Sequence, residues 1–541
     1  MPVDIKTGQD IRQCMLAGAK KGADAVIATL GPWGRNVSIG RPPVTNKNGR
    51  LVYRPPMVTK DGVTVARAIT SLPDPFEDQG WQLLKEAAEK TNTLAGDGTT
   101  TATLLGYEMM SAGIQLLNEG ANTIHVKKGM QKACEAVCAK LVLMARPVQT
   151  LDELKAIATI SAAGDEEIGS MVAMIVDEIG KSGAVTIAPG VSTGLEYKIT
   201  NGMQVAVGYS SPYFCGPKGV AMVTDPHILV TTEKITSITT LTPILEQILK
   251  ANDGTIDLVI FSDGVEGDAL NFLVQNHLEK PDKFRCLVLK PPFYGPKRQE
   301  ILEDIAVAVG ARLIDRKTGR DLPSASLADL GCAGRVDATA GVTTISAPET
   351  KKDKLEKRIE LVQVALEAAE TDADKDYQKM RLAGLEGKIA TIYVGGSSQM
   401  EQQEKQHRVE DACSAARAAK ESGILPGGGT AYLRCLDVIH AKDFEREGEK
   451  KGGLIVMQSL TKQIDWVVKN AGEDSGNVVQ RVLKMQQSEG FNAESGQYGD
   501  MFEMKVIDPA KVPITALRNA VSVAGMFLTL EVGVVDKTEG P

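Results

Sequence analysis

The stretch that decides the reading is AGDGTTTATLL, residues 95–105, where Gly96, Asp97 and Gly98 precede three threonines and an apolar helical pattern. Two glycines let the backbone bend close to a ligand, and the first turn of the helix that follows leaves amide donors with no partner inside it. Phosphate satisfies such donors. The hydroxyls of Thr99, Thr100 and Thr101 add short donors, and Asp97 supplies the hard carboxylate oxygen that Mg²⁺ prefers. This is not a P-loop, because no Lys follows the second glycine at the required spacing. Taken alone, the stretch has two readings: a glycine turn capped by Thr at a helix start, or a phosphate loop.

Working upstream, helical patterns over 77–92 and 99–118 place Asp97 in the junction between two helices. The run Val58-Thr59-Lys60-Asp61-Gly62-Val63 is strand-like and carries an adjacent Lys and Asp into a glycine turn, an arrangement that by itself is usually solvated. Residues 8–29 have apolar positions at helical spacing (Ile11, Met15, Ala19, Ala23, Val26, Ile27), ending at Leu30-Gly31-Pro32. Between these, Arg35–Ile39 and Leu51–Tyr53 flank Asn46-Lys47-Asn48-Gly49, a strong hairpin signal that predicts a projecting ribbon. The turns at 31, 60–61 and 97 are candidates to converge.

Downstream, Pro147 breaks the helical series, and glycine-punctuated β-rich runs follow at 184–188, 195–199, 228–232, 256–261 and 285–289. Helical patterns at 240–251, 266–278 and 298–309 alternate with them, as in an α/β layer. Residues 351–386 read as a charged helical hairpin with solvated faces. A strand (389–394) then leads to a helix (about 400–422) that carries Glu410 and Asp411, where a solvent-exposed carboxylate is the ordinary reading. Pro426-Gly427-Gly428-Gly429 before another helix repeats the opening logic, and Asn492 and Asp508 are candidates to hold a base edge and a ribose. Textures that leave and re-enter the same kind of module predict nested domains.

The length of 541 residues gives a soft prior of about three or four domains. A net charge of -8 without a basic run argues against nucleic acid as a partner. Eight cysteines are scattered without a framework, which reads as a reduced, cytoplasmic protein. Cys134 and Cys138, one helical turn apart, fit a core face better than a metal site. Neither the charged start MPVDIKTGQDIRQ nor the short SVAGMFLTLEVGVV segment, which contains Glu531, reads as a signal or a membrane span.

The stretches TLGPWGRNV, VTKDGVTVAR, AGDGTTTATLL, ATISA, GYSSPYF, DGVEGDAL, RVEDA, PGGGTA, FNAE and IDPAKV together resemble the motifs of group I chaperonins of the GroEL type, in the family's order. The resemblance implies a multidomain α+β fold. It has a helix-rich equatorial ATPase domain from both chain ends (1–143 and 422–541), a small intermediate hinge domain (144–200 and 390–421) and an α/β apical domain inserted centrally (201–389). It further implies seven-membered rings, unfolded protein clients, a co-chaperonin as an optional partner, and ATP, Mg²⁺ and a monovalent cation such as K⁺ as cofactors.

Residue by residue, Thr29, Leu30, Gly31 and Pro32 match the adenine-side and phosphate turn, Asp97 the Mg²⁺ ligand, and Gly98, Thr99, Thr100 and Thr101 the phosphate loop. Lys60 matches a residue near the terminal phosphate. Asp411 matches the carboxylate that positions or deprotonates the attacking water, with Asp61 as a second carboxylate in the pocket. Gly428, Asn492, Ala493 and Asp508 match nucleoside contacts, while Ile160 and Ser161 match the nucleotide-side start of the hinge domain. On the apical side, Tyr209, Tyr213, Phe214, Leu241, Leu245, Leu270 and Val274 match the apolar client groove, although their plain reading is packed core.

Several positions depart from the family pattern. Thr242 and Gln275 stand where Leu and Val are usual, Gly387-Lys388 replaces a double glycine at the upper hinge, the ribbon insert between Ile39 and Val58 is longer, and the glycine-methionine tail is replaced by an end at Thr538–Pro541. The stretch 465–477 faces the opposite ring in the family and carries an Arg that pairs with a Glu. Here Asp465, Asp474, Gly476 and Asn477 occupy the matching positions, which predicts repulsion, a weak inter-ring contact and populated single rings. Such divergence suits a virus-encoded or specialised chaperonin. Two other classes stay open: a nucleotide-binding ring scaffold with little turnover, and an unrelated ATP-dependent ligase or kinase using the same glycine turns.

Overall fold

The structure, a computed structural model, describes residues 3–536 apart from 42, 46–50, 53–55, 181–182, 191, 217–218, 292, 349–351, 370 and 441–442. The chain forms two compact units, Met1–Met174 with Gln406–Pro541, and Ile175–Lys405.

The first unit is built from helices whose apolar stripes were visible in the sequence. The pattern that stops at Leu30 forms the helix Gly8–Ile27, and Gly96 ends the helix Pro75–Ala95 in the left-handed conformation that glycine allows (φ 73°). Thr99–Asn118 follows at once. These helices pack with Thr123–Met144 and Lys511–Leu528 around a core in which Trp81, Leu84, Leu104, Leu105, Met109 and Phe527 are fully buried. Strands Val3–Thr7 and Val532–Asp536 pair antiparallel, so both ends of the described chain are tied into this unit. The ribbon is present as Val37–Ile39 against Met57–Thr59 and Val44–Thr45 against Leu51–Val52; its Asn46–Gly49 turn lies outside the described residues, as does Thr538–Pro541.

In the second unit nine strands form one sheet among the described residues. Its path is Phe284–Leu289, Ile256–Phe261, His227–Val230, Gly331–Ala338, Thr343–Pro348, Leu195–Val205, Lys388–Val394 and Ala184–Pro189, with Ala221–Thr224 also on Gly331–Ala338. The strands at 227–230, 256–261 and 284–289 are parallel, and the helices Thr242–Ala251, Gly267–Glu279 and Pro296–Val309 alternate with them in sequence, as the α/β texture predicts. Every residue of Ile256–Phe261 is buried, as expected of a strand covered on both faces.

The charged hairpin forms as Lys352–Glu367 and Asp372–Leu385, but its faces are not all solvated. Asp304, 1% exposed on Pro296–Val309, accepts from Arg358 Nε at 2.6 Å and from Arg381 Nε and Nη2 at 2.6 and 2.9 Å. Arg381 also reaches Glu300 at 2.7 Å. Opposite charges on a neighbouring helix, far away in sequence, draw these arginines inward.

Among the described residues the eight cysteines form no disulfide, and Cys134 and Cys138 lie buried with their sulfurs 3.9 Å apart, as the core reading expects. Among the described residues no helix is long and apolar enough to cross a membrane.

Candidate functional site

The left-handed Gly98 (φ 90°) starts the helix Thr99–Asn118 without a side-chain cap, so its first amides remain available. Thr99 and Thr101 are buried and Thr100 is partly buried; the Thr99 hydroxyl has no hydrogen-bond partner among the described residues. Two neighbours press on this junction. A Cβ on Gly62 would lie 2.2 Å from Thr100 Oγ1, and one on Gly96 would lie 2.1 Å from Ser414 Cβ, so both approaches require glycine. The first brings the Lys60–Asp61 turn to the helix start. The second brings in the helix Gln399–Ser422, one turn beyond Asp411.

Asp61 caps the short helix Gly62–Ala68 by accepting the Val63 and Thr64 amides at 3.1 and 2.8 Å. Lys60 Nζ donates to the Pro32 carbonyl at 2.7 Å, and burial lowers its pKa. Thr29, buried at the end of the first helix, donates to Val26 O at 2.7 Å and has its hydroxyl 3.5 Å from that of Thr100. Leu30 accepts from Asn470 Nδ2 at 2.9 Å, and Gly31 turns the chain at φ 82°. The three predicted turns therefore meet.

Strand Ile424–Pro426 pairs with Ile507–Pro509, which sets Leu425 opposite Asp508 and leads into Gly427–Gly429. A Cβ on Gly427 would lie 3.1 Å from Asp508 Oδ1, which places that carboxylate against the glycine loop; Gly428 is left-handed (φ 62°). Asn492 ends the strand Glu489–Asn492 and accepts the Glu494 amide at 2.9 Å. The adjoining carbonyl of Ala493 accepts from the indole Nε1 of Trp33 at 2.8 Å. Ile160 is exposed near the end of the helix Leu151–Ser161, and the Ser161 hydroxyl bonds to Asp97.

Electrostatically the cleft is under-neutralised. Asp97 faces solvent, yet the protein mass around it raises its pKa; Asp61 adds to the rise, while the Gly98 amide and the Ser161 hydroxyl oppose it. Burial, followed by the charges of Asp61, Asp97 and Glu410, pushes Asp411 up to about 9, with Arg67 opposing. Burial and Asp97 push Asp508 up to about 7. Among the described residues no three His, Cys, Asp or Glu side chains are grouped to hold a metal unaided.

Sequence reasoning missed Trp33, Gly62, Ser414 and Asn470 as parts of this cleft. The Trp33 and Asn470 bonds join residues more than 400 positions apart, and no local pattern marks either.

The predicted groove residues lie in the second unit. Phe214, Leu241 and Leu245 are buried core side chains, Tyr209, Leu270 and Val274 are partly buried against that core, and Tyr213 is 63% exposed. Phe214 stacks edge-on against His277 at 5.6 Å. Phe214 ends the 3-10 turn Pro212–Phe214, and Leu241 and Leu245 lie at the start and within the helix Thr242–Ala251, with their side chains turned into the core.

Asp465 and Asp474, whose expected repulsion lies across a ring-to-ring contact, each have partners within the chain. Asp465 pairs with Lys469 at 2.7 Å, and Asp474 caps its own helix by accepting the Gly476 and Asn477 amides. Each carboxylate is occupied locally.

Comparison with known proteins agrees with this architecture. Two crystal structures of the chaperonin gp146 from bacteriophage EL 2 (Pseudomonas aeruginosa), determined in the presence of ATP-BeFx, superpose over 99% of both chains at 23% identity, with TM-scores of 0.73 and 0.65. The model of the TCP-1/cpn60 chaperonin family matches residues 23–538. A family match over nearly the whole chain, joined to a chaperonin fold, makes this protein a member of the TCP-1/cpn60 chaperonin family.

Proposed function

We propose that the chain is an ATP-driven chaperonin whose first unit binds and hydrolyses Mg-ATP and whose second unit holds non-native proteins. The observation that carries this reading is the convergence of Asp61, Asp97 and Asp411 on the uncapped start of the helix Thr99–Asn118. The donors fit Mg²⁺ with a nucleotide: a solvent-facing carboxylate at Asp97, an unpartnered buried hydroxyl at Thr99, and free amides after Gly98. Bound there, Mg²⁺ would supply the positive charge that phosphoryl transfer needs. Gly98–Thr101 would hold the phosphates, Lys60 would lie near the terminal one, and Thr29–Pro32 with Gly428, Asn492, Ala493 and Asp508 would hold the nucleoside. Asp411 would release its proton once Asp97 is neutralised, then orient and deprotonate the attacking water, with Asp61 beside it.

The reading extends to the five-segment division at 143, 200, 389 and 421, with Ile160 and Ser161 reporting occupancy to the hinge. Support comes from the two-unit split, which joins both chain ends. Clients would dock on Tyr209, Tyr213, Leu270 and Val274, with Phe214, Leu241 and Leu245 beneath them. The assembly is proposed as a seven-membered ring with a weak inter-ring contact, because Asp465 and Asp474 set two carboxylates where the family has an attractive pair. A K⁺ requirement and an optional co-chaperonin are part of the same proposal, and cysteines that form no disulfide suit a cytoplasmic setting.

The test is ATP-dependent refolding of a denatured client by the full-length protein, with stimulation of ATPase by unfolded protein. Phosphate transfer to an added small-molecule acceptor would overturn the proposal. Native mass with and without Mg-ATP separates seven subunits from fourteen, and fourteen would refute the weak contact.

A further inference from the structure

Trp33 is a large, exposed aromatic side chain at the edge of the cleft, and neither the phosphate nor the carboxylate chemistry uses it. It directly follows Pro32, whose carbonyl is held by Lys60, and is 55% exposed, whereas Trp81 is fully buried in the core of the same unit. Its polar edge is fixed, because the indole N–H donates to Ala493 O at 2.8 Å, next to Asn492. The turn that carries it is closed by Gly34 N to Gly31 O at 3.0 Å and Arg35 N to Ala28 O at 2.7 Å. A tryptophan serving only to fasten the turn to residue 493 would gain by burying its ring; this one is tethered at one edge and left open over much of its surface. A ring already held in place loses little further entropy when a flat ligand stacks on it.

We infer that Trp33 is the stacking wall for the nucleotide base and gives the cleft its preference for purine over pyrimidine triphosphates. This rests on the reading of the cleft as a nucleotide site. Stacking strength grows with overlapping ring area, so a purine gains more from the indole than a pyrimidine does, and the gain is lost with the ring. Phe at this position keeps a stacking face but not the hydrogen bond to Ala493, which separates the two roles.

The experiment is calorimetric titration of the full-length protein with Mg-ATP and with Mg-CTP, for wild type, Trp33→Ala and Trp33→Phe. Wild type should bind ATP more tightly than CTP. Trp33→Ala should lose about tenfold in ATP affinity, with CTP affinity changed less than about twofold, and Trp33→Phe should keep the ATP-to-CTP ratio within about threefold of wild type. Equal losses for both nucleotides in Trp33→Ala would mean that the residue only fastens the turn, and no loss would mean that the ring faces away; either result overturns the inference. If wild type binds ATP with no preference over CTP, the selectivity claim fails while the nucleotide reading stands. If wild type binds neither nucleotide, the reading of the cleft itself fails.

Discussion

Asp411 and Asp304 are both aspartates on long helices, and the two units of the chain treat them in opposite ways. In the second unit Asp304 is gripped by Arg358 and Arg381, with Glu300 completing the network, and every charge has a partner at hydrogen-bond distance. In the first unit Asp411 is pushed up to about 9 by burial first and then by the charges of Asp61, Asp97 and Glu410, with Arg67 as the opposing charge. A buried ion network that satisfies itself is a structural fastening, whereas a cleft that gathers carboxylates without enough positive charge stores a demand for a cation. Binding is where that demand is met.

The contrast predicts where substitutions act. The largest effect falls on Asp97→Ala, which should lower Mg-dependent ATP turnover at least about 100-fold in steady-state phosphate release; turnover within a few-fold of wild type would remove the distinction between the units. Next comes Asp304→Ala, which strands Arg358 and Arg381. It should cost about 3–5 kcal/mol in the unfolding of the second unit, followed by urea titration, while the isolated ATP-binding constant stays unchanged. A smaller loss, about 1–3 kcal/mol, is expected for Gly62→Ala, whose added methyl would press on Thr100 Oγ1; a fully stable variant would show that the contact between the two turns is loose.

One substitution gives a gain. Because the carboxyl of Asp411 has a folded-state pKa of about 9 against an ordinary 3.8, the stability it contributes in acid is lost as pH rises between those values. Asp411→Asn escapes this loss. Without nucleotide it should melt above wild type, with the gap widening from pH 4 towards pH 9 in scanning calorimetry; a gap that narrows with rising pH would contradict the electrostatic picture.

Much of this was legible in the sequence wherever the signal was local. The strand Ile256–Phe261 has the expected bounds, the helix Thr99–Asn118 begins where Gly98 frees its amides, and the glycine turns at 31, 96–98 and 427–429 mark three walls of the cleft. What stayed hidden depends on partners distant in sequence. The arginines of the charged hairpin look solvated until Asp304 is placed beside them. The intrachain partners of Asp465 (Lys469) and of Asp474 (its own helix amides) are likewise unmarked by the texture. Phe214, Leu241 and Leu245 carry the same apolar side chains whether they line a groove or fill a core, and their burial here depends on partners the sequence pattern does not mark. Nor does texture mark hydrogen bonding: the strand Leu195–Val205 runs unbroken through residue 200.

The central claim is that Asp411 activates water for hydrolysis of ATP held at Asp97 and the helix start after Gly98. Single-turnover hydrolysis of Mg-ATP by wild type and Asp411→Asn, with binding measured on the same samples, tests it most directly. The account predicts nucleotide affinity within a few-fold of wild type and a cleavage rate lower by about 10²–10⁴. Cleavage by Asp411→Asn at the wild-type rate would contradict it.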